Sequence, residues 1–147
     1  MKTYTGTKIV TAKPMNRADY NKYRNWVLPD NEEGSDDGYL VEYTDGGKAN
    51  DSRHAGYISW SPKAQFDAAY IDIGDVSALP AHMQRVVAEK AELDAKISAL
   101  TKFMTTLFWS SLLNSEQRLL RAQAVHMDGY SGVLGERISA FHAPSTN

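Results

Sequence analysis

The sequence contains no cysteine at all. This excludes disulfide bonds, thiolate nucleophiles and cysteine-based zinc or iron–sulfur sites, and it fits a reducing cytoplasm. No apolar run reaches the roughly 18 residues that a transmembrane helix needs. The first ten residues, MKTYTGTKIV, also lack the apolar segment of a secretory signal. We therefore expect a protein of the cytoplasm that has no membrane partner.

A large excess of charge of either sign is missing as well. The formal net charge is −2 and the sequence pI is near 6.1, which favours neither duplex nucleic acid nor a membrane surface as a partner. The charge is nevertheless unevenly placed. Residues 1–29 carry six lysines and arginines against one acid, and residues 30–45 carry seven acids and no base.

Motifs that would carry catalysis or hold a metal ion are not found either. No G-x-S-x-G or P-loop is present. The acidic loop that starts at Asp30 fails as an EF-hand, because Ser35 replaces the glycine and Val41 replaces the final glutamate. The histidines do not have the spacing of zinc ligands; they are His54, His82, His126 and His142. We therefore expect no metal, no cofactor and no enzymatic activity.

The first part of the chain, residues 1–72, is rich in Tyr, Gly, Pro and Asp and predicts a small antiparallel β-sheet module. Three segments are typical of strands: residues 4–14, 39–47 and 56–62. A turn at Asp45-Gly46-Gly47 follows the second of them.

Two short helices are predicted in the same module. One lies in NRADYNKYRNW and is capped by Asn16; the other lies in SPKAQFDAAY, with Ser61 as its N-cap and Pro62 at its first position. The module also carries many aromatic residues, namely Tyr39, Tyr43, Tyr57, Trp60 and Tyr70. Core packing and a surface for a ligand or a docking helix are both open as explanations.

The pattern changes to long helices after a linker at residues 73–79. A mostly apolar stripe follows, whose positions are spaced alternately by four and three residues as in a coiled coil. It consists of Val86, Lys90, Leu93, Ile97, Leu100, Met104 and Leu107. SSLLNSEQ interrupts this stripe, and Asn114 or Ser115 can cap a second helix that ends near Phe141. Residues 80–142 therefore predict an antiparallel helical hairpin, and residues 143–147 a disordered tail.

A hairpin by itself buries only one side of each helix. Apolar residues remain at its tip and flank, namely Phe108, Trp109, Leu112, Leu113 and Leu119. These exposed residues predict that hairpins pack on hairpins in a homo-oligomer. The expected fold class is thus α+β: a small N-terminal antiparallel sheet with short helices, followed by a long antiparallel hairpin that oligomerises.

Polar residues interrupt the apolar stripes of both helices. On the second helix the stripe is Gln123, Met127, Tyr130, Leu134, Arg137 and Phe141, and on the first helix Lys90 has an equivalent place. One explanation is that these residues fix the helix register or the oligomeric state. The other is a polar pocket between helices, in which an arginine holds phosphate and an aromatic residue stacks on a base.

Two long segments resemble a known family. LPAHMQRVVAEKAELDAKISALTKFM and LLRAQAVHMDGYSGVLGERISAF resemble the helical hairpin of the first anti-Thoeris defence family, the signal sponges. The segments GTKIVTAKPMNRADYNKYRNW, DDGYLVEYTDGGKAN and GYISWSPKAQFDAAY look like the N-terminal module of small bacteriophage and prophage proteins.

The resemblance implies a phage anti-defence protein that acts in the cytoplasm of the bacterial host. Members of the family bind the cyclic ADP-ribose isomers of Thoeris without degrading them, so they are not enzymes. Some assemble as hexamers from dimers. Some also hold cyclic oligonucleotides of the CBASS defence in a separate pocket. The helical hairpin of the family is related to the anti-CBASS cyclic-nucleotide sponges.

The resemblance also implies site residues. Phe103, the aromatic residue of LTKFM, would stack on adenine, and Arg137, the arginine of GERI, would contact phosphate. The neighbouring candidates on the second helix follow from helix geometry, and they are Gln123, Tyr130 and Arg121. Arg85 and Lys90 are candidates for a second pocket for cyclic oligonucleotides. The connector TTLFWSSLLNS departs from the family by being rather apolar. The alternative function is a non-catalytic oligomeric adaptor that docks a phage or host protein.

Overall fold

The computed structural model describes residues 1–142 in two compact units, residues 1–70 and residues 71–142. The first unit holds a three-stranded antiparallel sheet with two short helices, and the second is helical. This arrangement confirms the predicted α+β class. The predicted disordered tail, residues 143–147, lies outside the described residues.

The sheet has the order β1-β2-β3, with β1 at Thr11–Pro14, β2 at Gly38–Tyr43 and β3 at Tyr57–Pro62. The prediction of a strand over residues 4–14 is wrong for its first seven residues. Thr11 already pairs with Glu42, near the end of β2, so β2 offers little further backbone to the preceding residues. Pro14 has no N–H group to donate, which suits its place in an edge strand.

The first helix, α1, spans Arg17–Tyr23 as predicted, and the Asn16 side chain caps it by accepting from the Asp19 N–H at 2.8 Å. It ends in a Schellman motif. Asn25 takes a left-handed backbone with φ 57°, which directs the Trp26 N–H to the Asn21 carbonyl at 2.8 Å.

The second helix, α2, spans Lys63–Ala69, and the prediction that Ser61 caps it is wrong. Ser61 belongs to β3, where it pairs with Tyr39. Pro62 occupies the N-cap position, and no side chain there caps the helix. The helix therefore begins one residue later than the sequence pattern indicated.

The core of the first unit lies between α1 and the sheet. Tyr20, Leu40 and Ile58 are buried there. Trp60 packs against them and donates its Nε1–H to the Met15 carbonyl at 2.8 Å.

Of the other predicted aromatic residues, Tyr39 and Tyr70 pack against α2. Phe66 of α2 stacks on Tyr39 and Tyr70, with ring centroids 4.2 and 4.8 Å apart. Tyr57 remains 45% exposed.

Ion pairs and one side-chain amide tie the segments of this unit together. The basic and the acidic segments of the chain meet in two pairs, Arg17–Glu32 at 2.5 Å and Lys8–Asp45 at 3.0 Å. The Asn50 amide bonds both backbone groups of Ile58 in β3, each at 2.8 Å.

Within residues 71–142 the second unit contains three helices, α3 at Ala81–Phe103, α4 at Leu107–Ser111 and α5 at Asn114–Phe141. Helix α5 returns along α3 and forms the predicted hairpin.

Two predicted details of the hairpin are wrong. Leu107 does not continue the stripe of α3, because the Thr106 hydroxyl accepts from the Trp109 N–H and starts α4. Neither Asn114 nor Ser115 caps α5. Leu113 is its N-cap, and the Glu116 carboxylate accepts from the Leu113 N–H at 3.0 Å.

Candidate ligand-binding site

Helix α5 turns a different face towards α3 than the sequence indicated. The less exposed positions repeat in threes and fours along Ala124, Met127, Ser131, Leu134, Ile138 and Phe141. Gln123, Tyr130 and Arg137 are exposed. The prediction that these three residues lie on the buried stripe is therefore wrong. On α3 the predicted stripe from Val86 to Met104 is less exposed than its surroundings, as expected.

A small polar cluster joins the two helices on one flank. The Tyr130 hydroxyl donates to the Glu89 carboxylate. This bond raises the pKa of Tyr130, while the positive charge of Arg137 acts in the opposite direction. Arg137 lies two turns after Tyr130 on the same face of α5. We call Glu89, Tyr130 and Arg137 the tyrosine cluster.

Arg137 is the member of the tyrosine cluster that is available to a ligand. Its side chain is exposed, and within residues 1–142 no hydrogen bond or ion pair engages its guanidinium. A guanidinium offers five N–H donors in a planar fork that matches phosphate or carboxylate oxygens. The cluster can therefore bind an anionic group through Arg137, with the Tyr130 ring beside it.

Lys90 lies on the inner stripe of α3 and is already engaged. Its ammonium donates to the Asp94 carboxylate and to the Ser131 hydroxyl, both at 2.8 Å. Ser131 in turn donates to Asp94 at 2.5 Å. The hydrogen bond from Lys90 and, to a lesser extent, that from Ser131 hold the pKa of Asp94 below its usual value. This network fastens α3 to α5, which is the register role that the sequence left open for Lys90.

Phe103 belongs to an aromatic group at the tip of the hairpin. Its ring centroid lies 6.1 Å from Trp109 and 6.0 Å from Phe108. The Arg121 guanidinium lies 5.3 Å from the centroid of the Trp109 ring. We call Phe103, Phe108, Trp109 and Arg121 the tip cluster. Sequence reasoning did not assign Trp109 to a site, although its place in the apolar connector was a signal.

The two clusters lie far apart in one chain. Because α3 and α5 run in opposite directions, Phe103 lies on one side of the Glu89–Tyr130 contact and Arg137 on the other. At 1.5 Å per residue, Phe103 and Arg137 are separated by about 30 Å along the hairpin. The structure thus does not bring the two main predicted ligand residues together within one chain.

The remaining predicted residues lie between or beside the clusters. Gln123 is exposed, and its amide contacts the Met127 sulfur at 3.7 Å. Arg85 is also exposed and lies one turn before Glu89 on α3. Glu89 itself is not among the site residues predicted from the sequence. Its contact with Tyr130 depends on the register of the two helices, which the sequence alone does not give.

Large apolar side chains of the second unit remain at the surface. They are exposed by 53 to 92%, and they include Leu107, Phe108, Leu113, Leu119, Val125 and Val133. An apolar surface of this extent is typical of a contact with another molecule. Among the residues that the structure describes, no cluster of potential metal ligands occurs, and no helix has the length and hydropathy to cross a membrane.

Comparison with known proteins gives one match. Residues 80–140 match the family model named Sequestin, whereas no curated protein and no solved structure matches the chain. The matched segment contains α3, α4 and almost all of α5, and it leaves out the first unit. The family name denotes sequestering, in agreement with the resemblance to the signal sponges. The hairpin at residues 80–140 is thus similar to the Sequestin family.

Proposed function

We propose that this protein is a phage anti-defence protein that binds a cyclic nucleotide immune signal and sequesters it without degrading it. The expected ligands are the cyclic ADP-ribose isomers of Thoeris. The Sequestin match of the hairpin carries the sequestering part of the proposal. The resemblance of the sequence to the anti-Thoeris sponges supplies the ligand class and the place of action, the cytoplasm of the bacterial host.

The chemistry of the tyrosine cluster supports an anionic ligand. Arg137 has a free guanidinium on an exposed face, and Tyr130 offers a ring next to it. A cyclic ADP-ribose isomer carries a pyrophosphate for the arginine and an adenine for an aromatic ring. Charge-assisted hydrogen bonds and stacking give affinity without any reacting group. A sink of this kind needs no catalytic residue.

We infer a site shared by two chains, because Phe103 and Arg137 lie too far apart in one chain to contact one ligand. A second hairpin that packs antiparallel on the first would place Phe103 of one chain beside Arg137 of the other. The exposed Leu119 and Val133 supply apolar surface for such a contact. By two-fold symmetry each dimer would then hold two ligands. Dimers of this kind are also the units from which a hexamer would assemble.

A second pocket for CBASS cyclic oligonucleotides is part of the proposal. Of its two candidate residues, Arg85 is exposed and Lys90 is held by Asp94 and Ser131. Arg85 is therefore the residue that we expect to contact the phosphates, and Lys90 is expected to stabilise the hairpin beneath it.

The adaptor function remains the alternative, and the exposed tip favours it. Leu107, Phe108 and Leu113 are 92, 65 and 69% exposed. In an adaptor these side chains would contact a phage or host protein, and the polar residues of the hairpin would serve only its register.

The first experiment is isothermal titration of the purified protein with glycocyclic ADP-ribose, followed by heating and chromatography of the released ligand. We expect tight binding and recovery of the unchanged ligand. Recovery of a cleaved product would show that the protein is an enzyme and would refute sequestration without degradation. If neither this ligand nor cyclic oligonucleotides bind at micromolar concentration, the adaptor is favoured.

Variants of Arg137 test the site itself. Arg137→Gln removes a charge-assisted bond to phosphate, for which we expect a loss of affinity of roughly 10- to 100-fold. Arg118→Gln is the matched control, since Arg118 is also exposed on α5 but outside the tyrosine cluster. The oligomeric state is followed by light scattering. If Arg137→Gln dissociates the oligomer, Arg137 serves the assembly and the register explanation is favoured.

Mixing two inactive variants tests whether the site is shared. Phe103→Ala and Arg137→Gln chains should each bind poorly. After subunit exchange, a mixed dimer would contain one site with both native residues, and binding should return at about a quarter of the sites. No recovery, with exchange verified by mass spectrometry, would contradict the shared site.

A further inference from the structure

The first unit contains a cavity that the hairpin function does not use. It has a volume of about 440 Å³ and is lined by Arg24, Asn25, Asn50, Asp51, Ser52 and Arg53. This volume lies in the range of small-molecule sites. The cavity belongs to the unit Met1–Tyr70, outside the segment that matches Sequestin.

Arg24 is the first indication of a ligand. Its side chain is 90% buried, and its guanidinium lies 4.5 Å from the centroid of the Trp26 ring. The Nη2 group donates to the Asn50 carbonyl at 3.2 Å. The Nη1 group is buried and has no hydrogen-bond partner within the described part of the chain. Because a buried donor without an acceptor is unfavourable, a small movement of the Arg24 side chain that brings Nη1 to an acceptor in the adjoining cavity would be stabilising.

Arg53 brings a second guanidinium to the same cavity. It lies 3.6 Å from the centroid of the Tyr23 ring and donates through Nη2 to the Tyr23 carbonyl at 2.6 Å. Nε and Nη2 also donate to the Asp51 carboxylate. Its Nη1 has no acceptor among residues 1–142. The hydrogen bonds of Nε and Nη2 hold the Arg53 guanidinium in place.

The charges of the cavity favour an anion. The bond from Arg53 holds the pKa of Asp51 well below its usual range, so this carboxylate is ionised and already paired. Two guanidiniums therefore face one carboxylate, and a positive charge remains. The Ser52 hydroxyl, which also lines the cavity, is a further donor.

We propose that this cavity binds an oxyanion of the size of phosphate, held by Nη1 of Arg24 and of Arg53. Two planar forks that are each fixed on an aromatic ring suit a tetrahedral oxyanion, since they lose little freedom on binding. Free phosphate and the phosphate of a nucleotide share this chemistry, and titration distinguishes the two sources.

The test is titration of the full chain with inorganic phosphate and, separately, with AMP at constant ionic strength. Binding is followed by calorimetry and by the Nε–H resonances of the arginines in NMR spectra. We expect Arg53→Gln to weaken phosphate binding at least tenfold. Lys22→Gln removes a neighbouring exposed cation that does not line the cavity, and it should change the affinity less than twofold.

The titrations distinguish the two phosphate sources and test the proposal itself. Equal affinity for phosphate and AMP indicates free phosphate as the ligand, and clearly tighter binding of AMP indicates a nucleotide. Because AMP can also reach the hairpin, its titration is repeated with Arg137→Gln, which leaves the cavity intact. Absence of phosphate binding refutes the proposal, and so does an equal loss for Lys22→Gln. Arg24→Lys keeps the charge without the fork, and unchanged binding in this variant would also contradict the proposed geometry.

Discussion

Leu134 provides a direct test of which face of α5 packs on α3. It is fully buried, at 0% exposure, between the two helices. Leu134→Ala removes buried apolar surface and leaves a cavity, for which we expect a loss of about 2 to 5 kcal/mol in the free energy of unfolding. Since a domain of this size is stabilised by only about 5 kcal/mol or somewhat more, the variant should have a hairpin that is largely unfolded at moderate urea concentrations.

The assay is urea denaturation followed by circular dichroism at 222 nm, where the hairpin helices dominate. Protein concentration is kept constant, because oligomerisation shifts the apparent stability. The control is Val125→Ala, since Val125 is 69% exposed on the outer face of the same helix. It should change the free energy by no more than about 0.5 kcal/mol. An equal loss in both variants would refute the assignment of the inner face.

Two further predictions concern a glycine and a carboxylate. Gly132 lies inside α5 with open space where a Cβ would stand, so Gly132→Ala should stabilise the hairpin by about 1 kcal/mol in the same assay; a loss would mean that another backbone approaches this face. Hydrogen bonds from His54 and, to a lesser extent, from the Gly56 N–H lower the pKa of Glu42. A carboxylate whose pKa is lowered by folding stabilises the protein at pH values above its unfolded-state pKa of about 4.3. This stabilisation is lost as the pH falls through the pKa of the folded state. Glu42→Gln should therefore destabilise the first unit at pH 7 and differ less from the native protein as the pH is lowered below 4, which tryptophan fluorescence can follow; a difference that stays constant with pH would contradict this linkage.

The element types were predictable from the sequence because each has a strong local signal. The Asn16 cap, the β-branched and aromatic residues of β2 and β3, and the heptad spacing of α3 all act over a few residues. Boundaries were less predictable. Thr106 caps a new helix where hydrophobic spacing alone continued the old one.

The face of α5 was not predictable from hydrophobicity. The expected and the observed faces share Met127, Leu134 and Phe141, so apolar spacing alone cannot separate them. The size of the side chains and their hydrogen bonds to α3 decide which of the two faces packs inward. Ser131 satisfies its hydroxyl with Lys90 and Asp94, and small residues allow close approach of the helices, whereas the bulky Tyr130 remains outside. The tyrosine cluster therefore depends on interhelical register, which no short segment of the sequence encodes.

The Asn50 amide has a consequence for solubility. It bonds both the N–H and the carbonyl of Ile58, and β3 is an edge strand whose other side pairs with β2. An amide side chain thus occupies the position where a strand of another molecule would add to the sheet, and such edges are a common start of aggregation. A sink as proposed above acts one-for-one and must accumulate to the concentration of its ligand. The Asn50 amide therefore protects this part of the β3 edge from pairing with a strand of another molecule.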